Sequence, residues 1–153
     1  MSSILFVCTA NQIRSPLAQE ILLQLLNQRG EYLHWRVESA GTWAFDGAPA
    51  HWMAVRSARN YDLDLSGHRS RTISIELLQE FSLVFVMDRF QLEALTFEFP
   101  SHAAKIHLLS ELIGKTFDIK DPVTGTVQDV DETAAQIKNI LDEGFDQLVQ
   151  MAG

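Results

Sequence analysis

The 153-residue sequence holds a single cysteine, which excludes an intrachain disulfide and fits a reducing compartment. Cationic residues are scarce. Twelve Lys and Arg stand against 20 Asp and Glu, and no basic run interrupts the net charge of −8. This argues against nucleic acid as a partner, because a polyphosphate surface needs a cationic footprint. Long apolar segments are missing too. The longest, Ile4–Cys8 and Ile21–Leu26, are far too short to cross a bilayer, so no membrane insertion is expected. No basic region followed by a long apolar segment suggests a secretory leader. The histidines at 34, 51, 68, 102 and 107 show no ligand spacing, so no metal and no cofactor is expected. Hydrophobic residues at 46% and charged residues at 21% are ordinary for a globular chain. The expectation is one soluble, cytoplasmic domain spanning residues 1–153.

What the sequence does have is concentrated in one stretch, Cys8-Thr9-Ala10-Asn11-Gln12-Ile13-Arg14-Ser15-Pro16. It follows the apolar run Ile4–Val7 and leads into a helical pattern from Leu17 to Arg29. Strand, tight polar loop and helix aim backbone N–H groups and a helix N-terminus at one point, which attracts phosphate. The Arg14 guanidinium, leaving the loop, can grip two oxygens of such an anion. A thiol at the floor of the cradle is favoured as thiolate by the amides, the helix dipole and the Ser15 hydroxyl. The stretch therefore reads as a phosphate-binding loop with a nucleophile built in. Asn11 suits a left-handed turn inside it.

The rest of the chain alternates strands and helices. Ser15 is expected as N-cap of the first helix, with Pro16 at its first position and Gly30 as its stop. A second strand is expected at His34–Glu38, followed by a small-residue turn, Ser39-Ala40-Gly41-Thr42. Helices are expected at Pro49–Tyr61, at Ile75–Phe81 and from Asp88, their cap, to about Phe97; strands at Leu83–Met87 and Lys105–Leu109. Asp129 with Glu132 reads as a capping box for one long last helix, whose stripe Ala134, Ile137, Leu141, Phe145, Leu148 faces the sheet. The result is an α/β domain of three layers, a four-stranded, mostly parallel sheet with helices on both faces. Ligands of such sheets bind at the carboxyl ends of the strands, where the Cys8 loop, the Ser39 turn, Asp88 and the Asp121 loop emerge.

At this point the sequence resembles the low-molecular-weight protein tyrosine phosphatases over nearly its whole length. Their loop of Cys, five residues, Arg, Ser or Thr and usually Pro is similar to Cys8–Pro16. Val37-Glu38-Ser39-Ala40-Gly41-Thr42 is similar to the family's Ser-Ala-Gly-Thr segment, and Leu65-Ser66-Gly67-His68-Arg69-Ser70-Arg71 to its Ser-Gly-His segment. Val86-Met87-Asp88 and Asp121-Pro122 match in kind and order.

The resemblance implies a phosphocysteine mechanism on phosphotyrosine in proteins. Cys8 is the nucleophile, Arg14 the phosphate clamp and Asp121 the general acid and base. Thr9, Ala10, Asn11, Gln12, Ile13 and Ser15 complete the phosphate loop. Ser39 and His68 would brace Asn11, Asp88 would act as helix cap or support, and Phe45 would be the aromatic wall for the substrate ring; Trp43, Phe45 and Trp52 can equally be packing. The expected state is a monomer or weak dimer.

Four positions depart from the family pattern. Ile13 stands where most relatives carry a second cysteine, which leaves an oxidised Cys8 without an internal partner. Gln12 replaces an apolar residue, or the Thr of relatives specific for phosphoarginine. Val123 replaces the aromatic after Asp-Pro, and Ala10 a frequent Gly. Two alternatives stay open: a phosphatase for phosphoarginine or another phosphomonoester, and a catalytically weak phosphate-binding module of the same fold.

Overall fold

The computed structural model describes all 153 residues. Four strands, β1 (Ser2–Cys8), β2 (Trp35–Gly41), β3 (Leu83–Val86) and β4 (Ile106–Leu108), form one sheet in the order β2-β1-β3-β4. Every pairing is parallel. Parallel neighbours need crossovers, which α1 (Arg14–Gln28), α2 (Trp52–Ala58), α3 (Ile75–Gln79) and α4 (Arg89–Glu98) supply; α5 (Val127–Glu143) and α6 (Phe145–Ala152) follow the last strand.

Alternation along β1 sends Ile4, Phe6 and Cys8 to one face and Leu5 and Val7 to the other. The first face joins a core of 30 buried residues fed by α1, α2, α5 and α6. The second packs against α3, α4 and Phe81 in a core of 12. Both faces are therefore covered, which explains why Ile4–Cys8 of β1 and all of β3 are apolar and buried. Chain order reverses between β1 and β3, neighbours in the sheet; at this switch the carboxyl end of β1 opens into the Cys8 loop.

Several expected boundaries shift, each for a local reason. β2 continues through the expected turn to Gly41, because it pairs with β1 as far as Cys8. Gly41 is required there: a Cβ would lie 2.4 Å from the Thr9 carbonyl oxygen and 3.1 Å from the Asn11 nitrogen. Only a residue without a side chain lets the phosphate loop lie this close. α2 starts at Trp52 rather than Pro49, since the His51 ring Nδ1 caps it by accepting from the Met53 N–H.

The last helix is split. Gly144 separates α5 from α6, and a Cβ there would come within 2.6 Å of the Leu112 Cβ. The expected stripe stays buried across the break. The cap of α5 is Thr126, whose hydroxyl accepts from the Asp129 N–H; Asp129 answers as the third helical residue, and Glu132 plays no part in the capping box. Ser15 is not a cap either. It lies inside α1, whose N-cap position is Ile13, because its hydroxyl is drawn inward to the site.

Candidate active site

The loop between β1 and α1 curls without any hydrogen bond from its own amides. None of the N–H groups of Thr9, Ala10, Asn11, Gln12 or Ile13 finds an acceptor in the protein. Its carbonyls, by contrast, are pinned from outside: Cys8 by the Thr42 N–H at 2.8 Å, Thr9 by Trp43 at 3.0 Å, Gln12 by His51 at 3.0 Å. With the carbonyls tied down, the donors are left for an anion.

Asn11 is the keystone of this turn. Its φ of 57° puts it in the left-handed region, a costly conformation for a residue with a Cβ. The strain is held by a full set of bonds. Its side-chain nitrogen donates to Ser15 Oγ at 2.8 Å and Ser39 Oγ at 3.0 Å, and its side-chain oxygen accepts from the Arg71 N–H at 3.1 Å. His68 Nε2 meets its backbone carbonyl at 2.7 Å. Because a carbonyl only accepts, that ring nitrogen carries the proton. Burial, chiefly, pulls the His68 ring below the ordinary histidine range, with Arg69 and Arg71 adding to it.

Cys8 is buried, and its sulfur lies 3.0 Å from Ser15 Oγ. That hydroxyl already accepts from Asn11, and its own proton can go to the sulfur or to the Ala40 carbonyl at 3.3 Å. A thiolate is the stronger acceptor of the two, so the serine proton turns to it when Cys8 ionises.

Arg14 is fixed at one end of its fork. Nη1 donates to Asp88 Oδ2 at 3.0 Å and to the Ile119 carbonyl at 2.8 Å, with the side chain only 3% exposed. Nη2 sits 3.5 Å from Asp121 Oδ2. Asp121 is 42% exposed on the rim, its other oxygen accepting from the Val123 N–H. Cys8, Ala10, Gln12, Ile13, Arg14, Asp121 and Val123 line a small cleft of about 60 Å³. A much larger cleft of about 770 Å³ lies between the 113–125 segment and α5, but it shares only Asp121 with this set and is not lined by Cys8 or Arg14.

The structure thus gathers Cys8, Asn11, Arg14, Ser15, Ser39, His68, Asp88 and Asp121 around one cleft. Phe45 does not line it; the side chain is 82% exposed on the loop after β2. Two supports were missed in the sequence. Arg71 donates from Nε to the Ser39 carbonyl at 3.1 Å and from Nη2 to Glu38 at 2.6 Å, bracing both sides of Asn11. Gln91, almost fully buried, donates to Thr9 Oγ1 at 3.0 Å and accepts from the Met87 and Asp88 N–H groups. Its place three residues after the Asp88 cap is capping-box spacing, a signal that could have found it.

A doubly covered parallel sheet, a cradle of free amides and a thiol beside a clamped arginine define a hydrolase that handles phosphate through cysteine. Residues 3–151 match the family described as low molecular weight phosphotyrosine protein phosphatase. The chain belongs to that family and is a cysteine-based phosphatase. It is 31% identical over 142 residues to the probable low molecular weight protein-tyrosine-phosphatase EpsP of Ralstonia nicotianae, covering 93% of this chain and 92% of the relative. A protein-arginine-phosphatase of Bacillus subtilis is 28% identical over 146 residues, 95% of each chain. Among solved structures, a low molecular weight protein tyrosine phosphatase from T. tengcongensis superimposes with a TM-score of 0.90 at 30% identity, covering 96% of this chain and 99% of the other. No helix is long and apolar enough to cross a membrane.

Proposed function

We propose that the chain hydrolyses phosphotyrosine in proteins, and that residues 1–153 work as one cytoplasmic domain, monomeric or weakly dimeric, with no nucleic-acid partner. The observation that carries this reading is the Cys8 sulfur 3.0 Å from Ser15 Oγ, at the floor of a loop whose amides have no protein acceptor.

The phosphoryl dianion binds the amides and the free end of the Arg14 fork, displacing Asp121 from the guanidinium. Asp88 and the Ile119 carbonyl keep Arg14 aimed meanwhile. Cys8 Sγ attacks phosphorus in line, a phosphorus–sulfur bond forms, and the bond to the phenolic oxygen breaks. Asp121 gives that oxygen its proton. Water then attacks phosphorus, Asp121 takes the water's proton, and the thiolate leaves, releasing inorganic phosphate. The loop donors stabilise the equatorial oxygens through both steps.

Phosphotyrosine is favoured over phosphoarginine by the family match and by the EpsP relative, which is described as a protein-tyrosine-phosphatase. The cleft lining is neutral on this point: Gln12 departs both from the apolar residue of the usual pattern and from the Thr of the arginine-specific one, and Val123 replaces an aromatic. The test is turnover of an aryl phosphate with chelator present, wild type against Cys8→Ser, followed by matched phosphotyrosine and phosphoarginine peptides. Chelator-resistant activity, lost in the variant and higher on phosphotyrosine, is expected. An active Cys8→Ser protein would overturn the mechanism; preference for phosphoarginine would overturn the substrate.

A further inference from the structure

Ten large apolar side chains are exposed; one of them, Val123, lines the cleft, and four more, Trp43, Phe45, Trp52 and Phe90, belong to segments bonded to the phosphate loop or to Arg14. The segments are separate in sequence, yet each is tied to the phosphate loop or its clamp. The Trp43 N–H bonds the Thr9 carbonyl, and Phe45 follows two residues later. Trp52 stacks on His51 (centroids 6.0 Å apart), whose N–H bonds the Gln12 carbonyl. Phe90 opens α4 between Asp88, which holds Arg14, and Gln91, which holds Thr9. Val123 is part of the cleft wall. Exposure runs from 45% for Val123 to 85% for Trp43, so none of these side chains is spent on the core. Apolar residues scattered singly need no explanation, but a group of this size around one cleft marks a contact surface.

We infer that this collar docks the chain of the protein substrate on either side of its phosphorylated residue, and selects segments with aliphatic or aromatic neighbours. The inference rests on the proposed activity on phosphoproteins. The occupant follows from continuity with the catalytic cleft: a polypeptide whose phosphoryl group reaches Cys8 has to cross this rim. The collar offers apolar area rather than charge. Arg89, the cation beside Phe90, is paired with Asp118 at 3.2 Å, and the net charge of −8 repels acidic flanks. Trp52 and Phe90 sit outside the cleft lining, so they act on the flanks and not on the phosphorylated side chain.

The experiment compares kcat and KM for phosphotyrosine peptides with leucine and phenylalanine flanks, serine flanks or glutamate flanks, in wild type and in Trp52→Ser/Phe90→Ser. p-Nitrophenyl phosphate, which has no flanks, is the internal control. The apolar peptide is expected to lead the serine peptide by about tenfold in kcat/KM, carried by KM, as loss of two aromatic contacts would remove. The double variant is expected to lose that lead while its turnover of p-nitrophenyl phosphate stays at the wild-type level. Equal kcat/KM for apolar and serine flanks in wild type overturns the inference. So does an equal loss on both peptides in the variant, or wild-type turnover of aryl phosphate with neither phosphopeptide hydrolysed. Sedimentation of both proteins closes the remaining route: a wild-type dimer that the variant dissolves makes the collar a self-interface and overturns substrate docking. A preference for phosphoarginine would defeat the phosphotyrosine reading alone, and the same flanks around phosphoarginine then decide the collar.

Discussion

His68 donates from Nε2 to the carbonyl of Asn11 at 2.7 Å, so a histidine far along the chain holds a left-handed residue of the phosphate loop. Burial lowers the affinity of that ring for protons relative to the unfolded chain; the bond to the Asn11 carbonyl opposes this, Arg69 and Arg71 reinforce it, and the net shift is downward. The unfolded state then binds more protons, so the contribution is present above the ordinary histidine value of about 6.5 and is lost as pH falls through the lower folded value. His68→Gln keeps an N–H donor without the titration. In urea unfolding, the lead of wild type over His68→Gln should narrow on going from about pH 7.5 to about pH 5. A lead that is constant across this range would show that His68 does not titrate with folding.

The phosphate loop was legible because it is local: strand, loop, Arg14 and Ser15-Pro16 lie within one short stretch and together imply the cradle, which the Cys–Arg spacing alone would not. Ser39, His68 and Asp121 were legible only through the family resemblance. The sequence also offered Ser15 as a helix cap, a role it usually takes; here tertiary bonds to Cys8 and Asn11 outweigh the local preference. The same holds for Ser39-Ala40-Gly41, whose small residues suggest a turn. Their smallness instead serves the approach of the phosphate loop to the edge of β2, a contact between segments 30 residues apart that no local pattern encodes. Arg71 and Gln91 were hidden for a related reason: their partners, Glu38, Ser39 and Thr9, come from other elements. The kink at Gly144 depends on Leu112, again a distant neighbour.

Gly41→Ala tests that close approach. The added Cβ would meet the Thr9 oxygen at 2.4 Å and the Asn11 nitrogen at 3.1 Å, both backbone atoms with little room to give. The loop has to shift, and a shift approaching 1 Å is expected to lower kcat/KM on aryl phosphates about 100-fold. Overpacking of this kind should also cost about 1–3 kcal/mol of stability. A folded Gly41→Ala protein with wild-type turnover would show that the loop tolerates the displacement.

Asp88 has two jobs on two oxygens. Oδ1 accepts from the Gln91 N–H and caps α4, while Oδ2 accepts from Arg14. Asp88→Asn can keep the cap but loses the charge against Arg14, whereas Asp88→Ala loses both. The Asn variant is expected to keep the melting temperature and raise KM about tenfold, the scale of one hydrogen bond to a charged group. The Ala variant should show the same KM effect and a further loss of about 1 kcal/mol in stability from the missing cap. Identical melting temperatures for the two variants would remove the capping role; an unchanged KM in both would remove the clamp.

Asp121 is assigned the proton on the leaving oxygen, and leaving groups of different basicity separate this from a role in binding. p-Nitrophenolate leaves readily without a proton, whereas phenolate itself does not. Asp121→Asn preserves the shape of the side chain and its acceptor oxygen for the Val123 N–H, so the 120–123 turn should stay in place. Single-turnover release of the phenol should then fall about 100- to 10,000-fold for phenyl phosphate, the range of general acid catalysis, and far less for p-nitrophenyl phosphate. The slope of log rate against leaving-group pKa should become steeper in the variant, because negative charge on the departing oxygen is no longer neutralised. Inorganic phosphate should bind the variant at least as well as wild type, since the carboxylate 3.5 Å from Arg14 no longer competes for the guanidinium. An equal rate loss on both substrates, with an unchanged slope, would assign the proton to another group and leave Asp121 only its place beside Arg14.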